Sequence, residues 1–445
     1  MNISSRARNA LFCCVVLGLS ATADAKPGDL DKHFGASGIT SYAVSGSVYA
    51  ARTAPITVDH MNRVIAVANL TSGAQIEVLS SDGDVDLGFG STGAVYVDAN
   101  VEDIAVDSLN RIVVLQTDTS ASPQLTRISR FDADGNVDMS FGSSGSVELA
   151  SGLNDTVAGG LAIDGADDIY VAGTVFDAAS SSEALMYAAK ITQFGALDSS
   201  FGGIGFNVLQ LDPTMPEDSV AWGITLDASS QPILTGVSVV GGTVGMLDVV
   251  RLTAEGELDT GFGHGTGFVR TDTLPSDGGP RSSVGRSAVT DDAGNIIVAA
   301  DTMSFSKYEM SLVLLRYTST GDLDSTFAGG QPKFLGAPSN FAKARSVKVD
   351  GRGRILVSGM VLGPTLDQQP TIFRTNADAT IDTTFGPAPG GELQLPVLPP
   401  SSGGSIALAH DGNIVTTAAS NTWFTAWVTK ILDHDPLKIE YPPGF

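Results

Sequence analysis

The feature that most constrains the fold is a six-residue turn, L-D-x-x-F-G, which recurs seven times along the 445-residue chain. The copies span residues 30–35, 85–90, 137–142, 197–202, 258–263, 323–328 and 381–386. Every copy keeps its Asp and its Phe, and successive copies begin 52 to 65 residues apart. A recurring period of this length indicates a repeat protein in which each unit is one supersecondary element.

Each unit carries four short strand patterns. In the second unit, the apolar runs at 104–106 and 112–114 flank a polar turn, which is typical of a β-hairpin. A third run follows at Leu125–Phe131, and a fourth follows the Phe-Gly turn at Gly145–Leu149. No segment shows sustained helical spacing. The sequence therefore predicts an all-β fold, a seven-bladed β-propeller of four-stranded blades.

The two chain ends predict how the ring closes. The first copy of the turn precedes a strand pattern at Ile39–Val44, so this strand is the fourth strand of a unit whose other strands lie elsewhere. The last unit has three strand patterns, ending with Trp427–Ile431, and no Phe-Gly turn after them. We therefore expect Ile39–Val44 to complete the last blade beside Trp427–Ile431, which removes the open sheet edges.

The recurrent Asp and Phe have two interpretations. One is a ring of seven carboxylates that bind calcium. The other is structural: the Asp accepts backbone N–H groups across the turn, the Phe ring lies between blades, and the Gly adopts a positive φ. We favour the structural interpretation, because a residue needed identically in every blade usually serves the blade.

These residues resemble the delta-60 repeat family of exported bacterial proteins. The fullest match is R-F-x-x-D-G-x-x-D-x-x-F-G-x-x-G at Arg130–Gly145, and the resemblance covers nearly all of residues 28–433. The sixth turn departs at Ala328, where the other copies have Gly. The resemblance implies a propeller-like fold and export. It implies no activity, since the family is defined by its repeat and has no catalytic motif.

The first 25 residues have the pattern of a signal peptide. Arg6 and Arg8 precede an apolar run, and Ala23-Asp24-Ala25 is a small-x-small cleavage pattern. Both cysteines lie in this segment, and a lipid anchor at Cys13 is the alternative. We therefore predict a secreted or periplasmic protein whose mature part, residues 26–445, is a single propeller domain without disulfides.

Charge and hydropathy exclude some partners. The chain has 25 basic and 49 acidic residues, a formal net charge of −24. Nucleic-acid binding needs clustered Lys and Arg, so this balance argues against it. No stretch after the signal peptide approaches the roughly 20 apolar residues of a transmembrane helix. We expect protein or glycan partners outside the cytoplasm.

Few residues point to chemistry. Oxygen ligands alternate at Asp132, Asp134, Asn136 and Asp138, as in calcium loops, although the later bidentate Glu is missing. An ordinary acidic β-turn is the simpler interpretation. The five histidines are scattered, and no nucleophile elbow or phosphate-binding loop occurs. No cofactor is predicted, with calcium at this turn as the alternative.

A second group of candidates lies at the axial mouth of the predicted ring. Counting back five positions from the hairpin Asp of each unit gives residues that we expect at this mouth. Those with functional side chains, together with two neighbours, are Glu102, Asp103, Trp222, Arg286, Arg345 and Lys348. Basic residues in so acidic a chain suit an anionic or sugar ligand. Packing and salt bridges between blades are the simpler interpretation.

Two functions remain open from the sequence. The first is a non-catalytic binding or scaffold propeller that holds a ligand or partner on the face with the long, variable loops, since such loops often carry function. These loops lie near 174–185, 210–220, 271–285 and 395–404. The second is a calcium-dependent hydrolase or lyase that uses the axial mouth. Mostly small side chains at the mouth favour the first.

Overall fold

The strands are short and follow the predicted hairpin patterns. The computed structural model describes residues 25–44, 54–90, 92–149, 154–176, 184–214, 218–240, 242, 244–274, 281–336, 341–362, 367–397, 402–420 and 425–433. Strand β1 (Ile39–Ala43) precedes the repeating units. The next strands are β2 (Ile56–Val58), β3 (Val64–Asn69), β4 (Ala74–Leu79), β5 (Ala94–Val97), β6 (Asn100–Val106), β7 (Ile112–Asp118), β8 (Leu125–Phe131), β9 (Ser146–Leu149), β10 (Asp155–Ile163), β11 (Ile169–Phe176), β12 (Ala184–Ile191) and β13 (Phe206–Val208).

The second half of the chain repeats the same order. Its strands are β14 (Asp218–Leu226), β15 (Pro232–Val240), β16 (Val244–Arg251), β17 (Phe268–Thr271), β18 (Arg281–Thr290), β19 (Ile296–Ser304), β20 (Glu309–Tyr317), β21 (Lys333–Leu335), β22 (Ala342–Val349), β23 (Ile355–Leu362), β24 (Gln368–Thr375), β25 (Glu392–Gln394), β26 (Ser402–Leu408), β27 (Ile414–Ser420) and β28 (Thr425–Ile431). A 3₁₀ turn at Gly263–Gly265 is the one helical element among the described residues.

The core lies between the sheets. The central strands β3 and β7 are buried on both faces, because each sheet is covered by a neighbour on either side. Their side chains, such as Val67 and Val114, belong to a hydrophobic cluster that joins two neighbouring sheets. Burying one such side chain contributes roughly 1.5–3 kcal/mol. The described part of the chain is therefore held together by packing between sheets around an axis, as in a β-propeller.

The predicted structural role of the recurrent Phe is confirmed. Each turn Phe is at most 1% exposed and lies in a cluster between neighbouring sheets or, for Phe262, between the two halves of the sheet formed by β14–β21; the residues are Phe34, Phe89, Phe141, Phe201, Phe262, Phe327 and Phe385. Each turn Asp accepts the backbone N–H of the residue two positions later, at 2.8–3.1 Å. The repeated motif thus serves the turn and the packing between sheets.

A basic side chain completes most of these turns. Arg130 donates from Nε to Asp138 at 2.8 Å, and its guanidinium lies 4.3 Å from the centre of the Phe141 ring. Its Nη1 also donates to the Gln193 carbonyl of the next unit, at 2.6 Å. Arg251, Arg316 and Arg374 repeat all three contacts. In each case the arginine lies eight positions before the Asp, the spacing that the R-F-x-x-D-G-x-x-D motif at Arg130 shows in the sequence.

The predicted closure of the ring is confirmed. Strand β1 pairs antiparallel with β28, and Ser41 lies opposite Trp427. The preceding turn adds main-chain hydrogen bonds, from Gly28 N–H to the Leu432 carbonyl at 2.8 Å and from Leu432 N–H to the Asp29 carbonyl at 2.9 Å. The two ends of the described chain therefore share one sheet.

The prediction of seven separate four-stranded blades is wrong. Among the described strands, five sheets have four strands each, and the other eight strands, β14 to β21, form one continuous sheet. Its halves join where Val244 and Gly245 of β16 pair in parallel with Arg281 and Ser282 of β18. Gly245 permits this approach, because a side chain there would collide with Ser282. The fold is therefore a propeller with five four-stranded blades and one eight-stranded sheet.

Two further expectations concern the signal peptide and membrane-spanning helices. Residues 1–24 of the predicted signal peptide lie outside the described residues, so its cleavage stays a prediction. Among the described residues, no helix has the length and apolar character that crossing a membrane requires.

Candidate functional site

The innermost strands β2, β6, β10, β14, β18, β22 and β26 surround the axis. Each lies beside the next one, and β26 lies beside β2. All of them except β2 carry an irregularity in their pairing with the following strand, a β-bulge. The extra residues are Glu102, Gly159, Trp222, Arg286 and Arg345, with Gly404 and Ser405 in β26. A bulge re-aims a side chain. Four of the six axial candidates, Glu102, Trp222, Arg286 and Arg345, occupy equivalent bulge positions, and Asp103 and Lys348 lie beside them on the same strands.

Two bulges have no room for a side chain. A Cβ on Gly159 would lie 2.6 Å from the Ala221 carbonyl oxygen, and one on Gly404 would collide with the Thr417 hydroxyl. Three of the four large bulge side chains, Trp222, Arg286 and Arg345, therefore lie on the consecutive innermost strands β14, β18 and β22. The fourth, Glu102, lies on β6 on the far side of the axis. The axial wall is asymmetric although the fold repeats.

These residues line one axial cavity of about 780 Å³. All six sequence-predicted mouth residues, Glu102, Asp103, Trp222, Arg286, Arg345 and Lys348, belong to its lining. The volume is within the range of small-molecule sites, roughly 300–1,000 Å³. Thr225, Ser287 and Ser346, which carry hydroxyl groups, also line it. The cavity therefore combines charged, aromatic and neutral polar groups.

Arg286 and Trp222 form the first part of the wall. The Arg286 guanidinium lies 4.5 Å from the centre of the Trp222 ring, and its Nε donates to Asp301 at 2.7 Å. Asp301 also accepts the Ala344 N–H at 2.5 Å. The two terminal nitrogens of Arg286 make no hydrogen bond within the described part of the chain. Trp222 is 46% exposed, a large fraction for a tryptophan on an innermost strand.

Arg345 lacks the partners that a guanidinium usually has. Its Nε is buried without a hydrogen-bond acceptor, and it makes no salt bridge with any described residue. Burial lowers the pKa of Arg345, and the neighbouring charge of Arg286 lowers it further, while Asp301 opposes both. Burial likewise lowers the pKa of Lys343. The charge of Asp301 raises this pKa, and the charges of Arg345 and Arg286 lower it. One carboxylate thus serves three cations, which leaves positive charge uncompensated.

The opposite wall is acidic. Asp103 accepts N–H groups from Ile104 at 2.9 Å and from Leu161, on the next innermost strand, at 3.0 Å. Burial raises the pKa of Asp103, while these two hydrogen bonds and the charge of Lys348 lower it. Glu102 is half-buried at its bulge. Asp103 therefore both joins two strands and supplies a carboxylate to the cavity.

Among the described residues, the lining of this cavity comes from the innermost strands and not from the long variable loops. Its lining residues all lie on the innermost strands, in segments such as 158–162, 222–225 and 286–289. Parts of the predicted loops are strand: Thr174–Phe176 belongs to β11, and 281–285 belongs to β18. Since other parts of these loops are not described, a role for that face stays a prediction.

The predicted calcium turn is held together by its own hydrogen bonds. Asp132 accepts the N–H groups of Asp134 and Asn136 at 3.0 and 2.8 Å, and the Asn136 side chain donates to it at 3.0 Å. Asp138 pairs with Arg130. Nowhere in the described ranges do three His, Cys, Asp or Glu side chains form a group that could hold a metal ion. The observed geometry is that of an acidic turn, and calcium binding there stays untested.

Asp301 and Lys343 were missed by the sequence analysis. Asp301 is a single carboxylate in β19, an otherwise apolar strand pattern, and it is 3% exposed. An acidic residue inside such a strand is itself a signal for a buried basic partner. Lys343 gives no such signal, because its position depends on the packing of β22 against β18.

Comparisons with known proteins support the fold. A protein-family profile described as "Domain of unknown function (DUF5122) beta-propeller" matches residues 110–141. This segment overlaps the fullest copy of the repeat. The chain is therefore a β-propeller repeat protein. No curated protein matches it in sequence.

Several solved structures are similar to this chain. A streptogramin B lyase structure is 14% identical with a TM-score of 0.51, and the match covers 88% of this chain and 97% of that chain. Virginiamycin B lyase from Staphylococcus aureus is 11% identical, with a TM-score of 0.49 and coverages of 88% and 99%. The polysaccharide lyase Uly1 is 10% identical, with a TM-score of 0.48 and coverages of 88% and 92%. At such low identity, the likeness to the streptogramin B lyase shows the fold alone.

Proposed function

We propose that this chain is a non-catalytic binding propeller whose ligand occupies the axial cavity. The observation that carries the proposal is Arg345: its guanidinium has no hydrogen bond or salt bridge to a described residue and shares the charge of Asp301 with two other cations, in a cavity wide enough for a small molecule. A buried charge without a partner costs free energy, and a bound anion removes that cost. Trp222 beside it offers an apolar surface.

The proposal includes the predicted localisation and the predicted repeat family. The N-terminal pattern of residues 1–25 supports secretion or release into the periplasm, where the ligand would be met. Seven L-D-x-x-F-G turns and the family match at 110–141 support assignment to the delta-60 repeats.

The test is ligand-induced thermal stabilisation with a mixed panel of neutral and acidic saccharides, dicarboxylates, nucleotides and amino acids. A ligand that binds only the folded state raises Tm. We expect at least one compound to stabilise the wild-type protein and Leu87→Trp, a control change at an outer turn residue that is 73% exposed. Thr225→Trp, which fills the cavity wall, should abolish that shift. No shift with any compound, or equal shifts in Thr225→Trp, would overturn the proposal.

The alternative is a metal-dependent hydrolase or lyase at the axial mouth. Such an enzyme needs convergent ligands for its ion, and the described residues contain no group of three, which supports binding instead. Incubating each stabilising compound with the protein and calcium, followed by product analysis, distinguishes the two. Intact compounds are expected, and chelator-sensitive turnover would favour the enzyme.

A further inference from the structure

The axial cavity has a polarity that restricts its ligand. Arg286 and Arg345 carry donors that have no acceptor among the described residues, while Asp103 and Glu102 lie on the opposite wall. Innermost strands β2 and β26 separate these two groups on one side, and β10 and β14 separate them on the other. A ligand that fits must therefore be anionic at one end and must donate hydrogen bonds at the other.

The charges also limit how many acidic groups the ligand carries. The charge of Lys348 acts on Asp103, but two carboxylates accompany this one ammonium, so a second anionic group directed at Asp103 and Glu102 would be repelled. Hydroxyl groups, in contrast, donate to carboxylates and also exchange hydrogen bonds with Thr225, Ser287 and Ser346 on the wall. The matching ligand has one acidic group and several hydroxyls.

Trp222 supplies the third requirement. Arg286 covers part of its ring, and 46% of the side chain stays exposed. An exposed indole offers a flat apolar surface with little conformational entropy to lose on binding. A ligand with a flat or puckered ring that presents C–H groups would use it, whereas a simple anion such as acetate would not.

We infer that the ligand is an acidic sugar, a pyranose ring with one carboxylate. The carboxylate pairs with Arg345 and the terminal nitrogens of Arg286, the ring lies against Trp222, and the hydroxyls face Asp103 and Glu102. The fork of a guanidinium matches the geometry of a carboxylate, which makes arginine suited to this recognition. This inference rests on the proposed function, because it assigns a ligand class to the same cavity.

The test is calorimetric titration with two matched probes. One is a disaccharide of a uronic acid and a neutral hexose, and the other is its carboxyl-reduced form, in which CH₂OH replaces the carboxylate. We expect the acidic form to bind about 10-fold more tightly or better, since hydrogen bonds between charged groups are worth that much. Acetate alone should not bind measurably.

Three variants assign the contacts. Arg345→Gln should weaken the acidic disaccharide by about 10-fold and leave the reduced form unchanged. Trp222→Leu should weaken both forms equally, because both present the same ring. Arg352→Gln, the same substitution at an exposed hairpin residue, should change neither. Circular dichroism confirms that each variant is folded.

The outcomes separate this inference from the proposed function. Equal affinity for the two probes, or an Arg345→Gln variant that binds the acidic form as the wild type does, overturns the acidic sugar. If neither probe binds but another compound of the panel stabilises the protein in a Thr225-dependent manner, the acidic sugar is wrong and the binding function stands. If nothing binds at all, both are wrong.

Discussion

Arginines occupy two regions of this propeller in opposite surroundings. At the outer turns, Arg374 is 0% exposed, pairs with Asp382 and Asp433, and lies over Phe385. At the axis, Arg345 is half-buried, and its buried Nε has no acceptor. The same residue type is fully satisfied in one region and unsatisfied in the other. The outer arginine thus serves the fold, whereas the axial arginine is the residue to which our proposal assigns a bound anion.

Replacing these two arginines gives the largest expected difference. Arg374→Met should cost about 3–5 kcal/mol of unfolding free energy, because it leaves the buried Asp382 and Asp433 with fewer partners. Arg345→Met should cost less than about 1 kcal/mol, since no pairing is lost. Equilibrium denaturation of both variants measures this. Equal losses would show that the axial arginine is structural as well.

Two phenylalanines sharpen the role of the turns. Phe201 is 0% exposed between two sheets, and Phe194, seven positions earlier, is 70% exposed. Phe201→Ala should cost about 3–4 kcal/mol, the transfer free energy plus that of the cavity left behind. Phe194→Ala should change stability by less than about 0.5 kcal/mol. Chemical denaturation at one pH compares them, and a small loss for Phe201→Ala would contradict packing by the turn.

The smallest expected effect is a difference in how two carboxylates, Asp198 at a turn and Asp103 at the axis, make stability depend on pH. At the outer turn, hydrogen bonds from Lys190 and Ser200 lower the pKa of Asp198 to about 2. Its stabilisation is therefore present above the unfolded pKa of about 3.9 and is lost as pH falls toward 2. Burial raises the pKa of Asp103, so its ionisation lowers stability as pH rises through that raised pKa.

Melting temperatures measured between pH 2 and 7 check both signs. Asp198→Asn should be less stable than the wild type at neutral pH, with the gap closing below pH ~4. The Tm of Asp103→Asn should rise relative to that of the wild type as pH rises from acid to neutral. A parallel pair of curves for either variant would mean that its carboxylate does not titrate as described.

Much of the fold follows from local sequence. The turn fixes the phase of the strands, so the pairing of β1 with β28 was predictable from which strand each end lacks. The joining of β16 to β18 was not, because it depends on two backbone pairs beside Gly245 and Ser282 that only the packed sheets bring together. The contacts of Arg130 and its equivalents with the turn Asp and Phe were predictable, since each arginine lies eight positions before the turn Asp.

The positions of the candidate site residues were predictable from the sequence, but their hydrogen-bond and charge partners were not. Counting back from the hairpin Asp reaches the bulge residues, because in β6, β10, β14, β18 and β22 the bulge lies five positions before that Asp although the strands differ in length. Whether Arg345 has a partner depends on Asp301, which comes from another strand and is already bonded to Arg286 and Ala344. Competition for one carboxylate is a property of the packed structure, and no spacing in the sequence encodes it.

The most direct test of the central claim, that the unsatisfied axial arginine binds a ligand, is a crystal structure of the protein grown with the uronic acid disaccharide. The account predicts density in the axial cavity, with the carboxylate within hydrogen-bond distance of Arg345 and Arg286 and the sugar ring against Trp222. A structure at saturating disaccharide with the ligand bound elsewhere, or with a protein acceptor on Arg345 Nε, would contradict it.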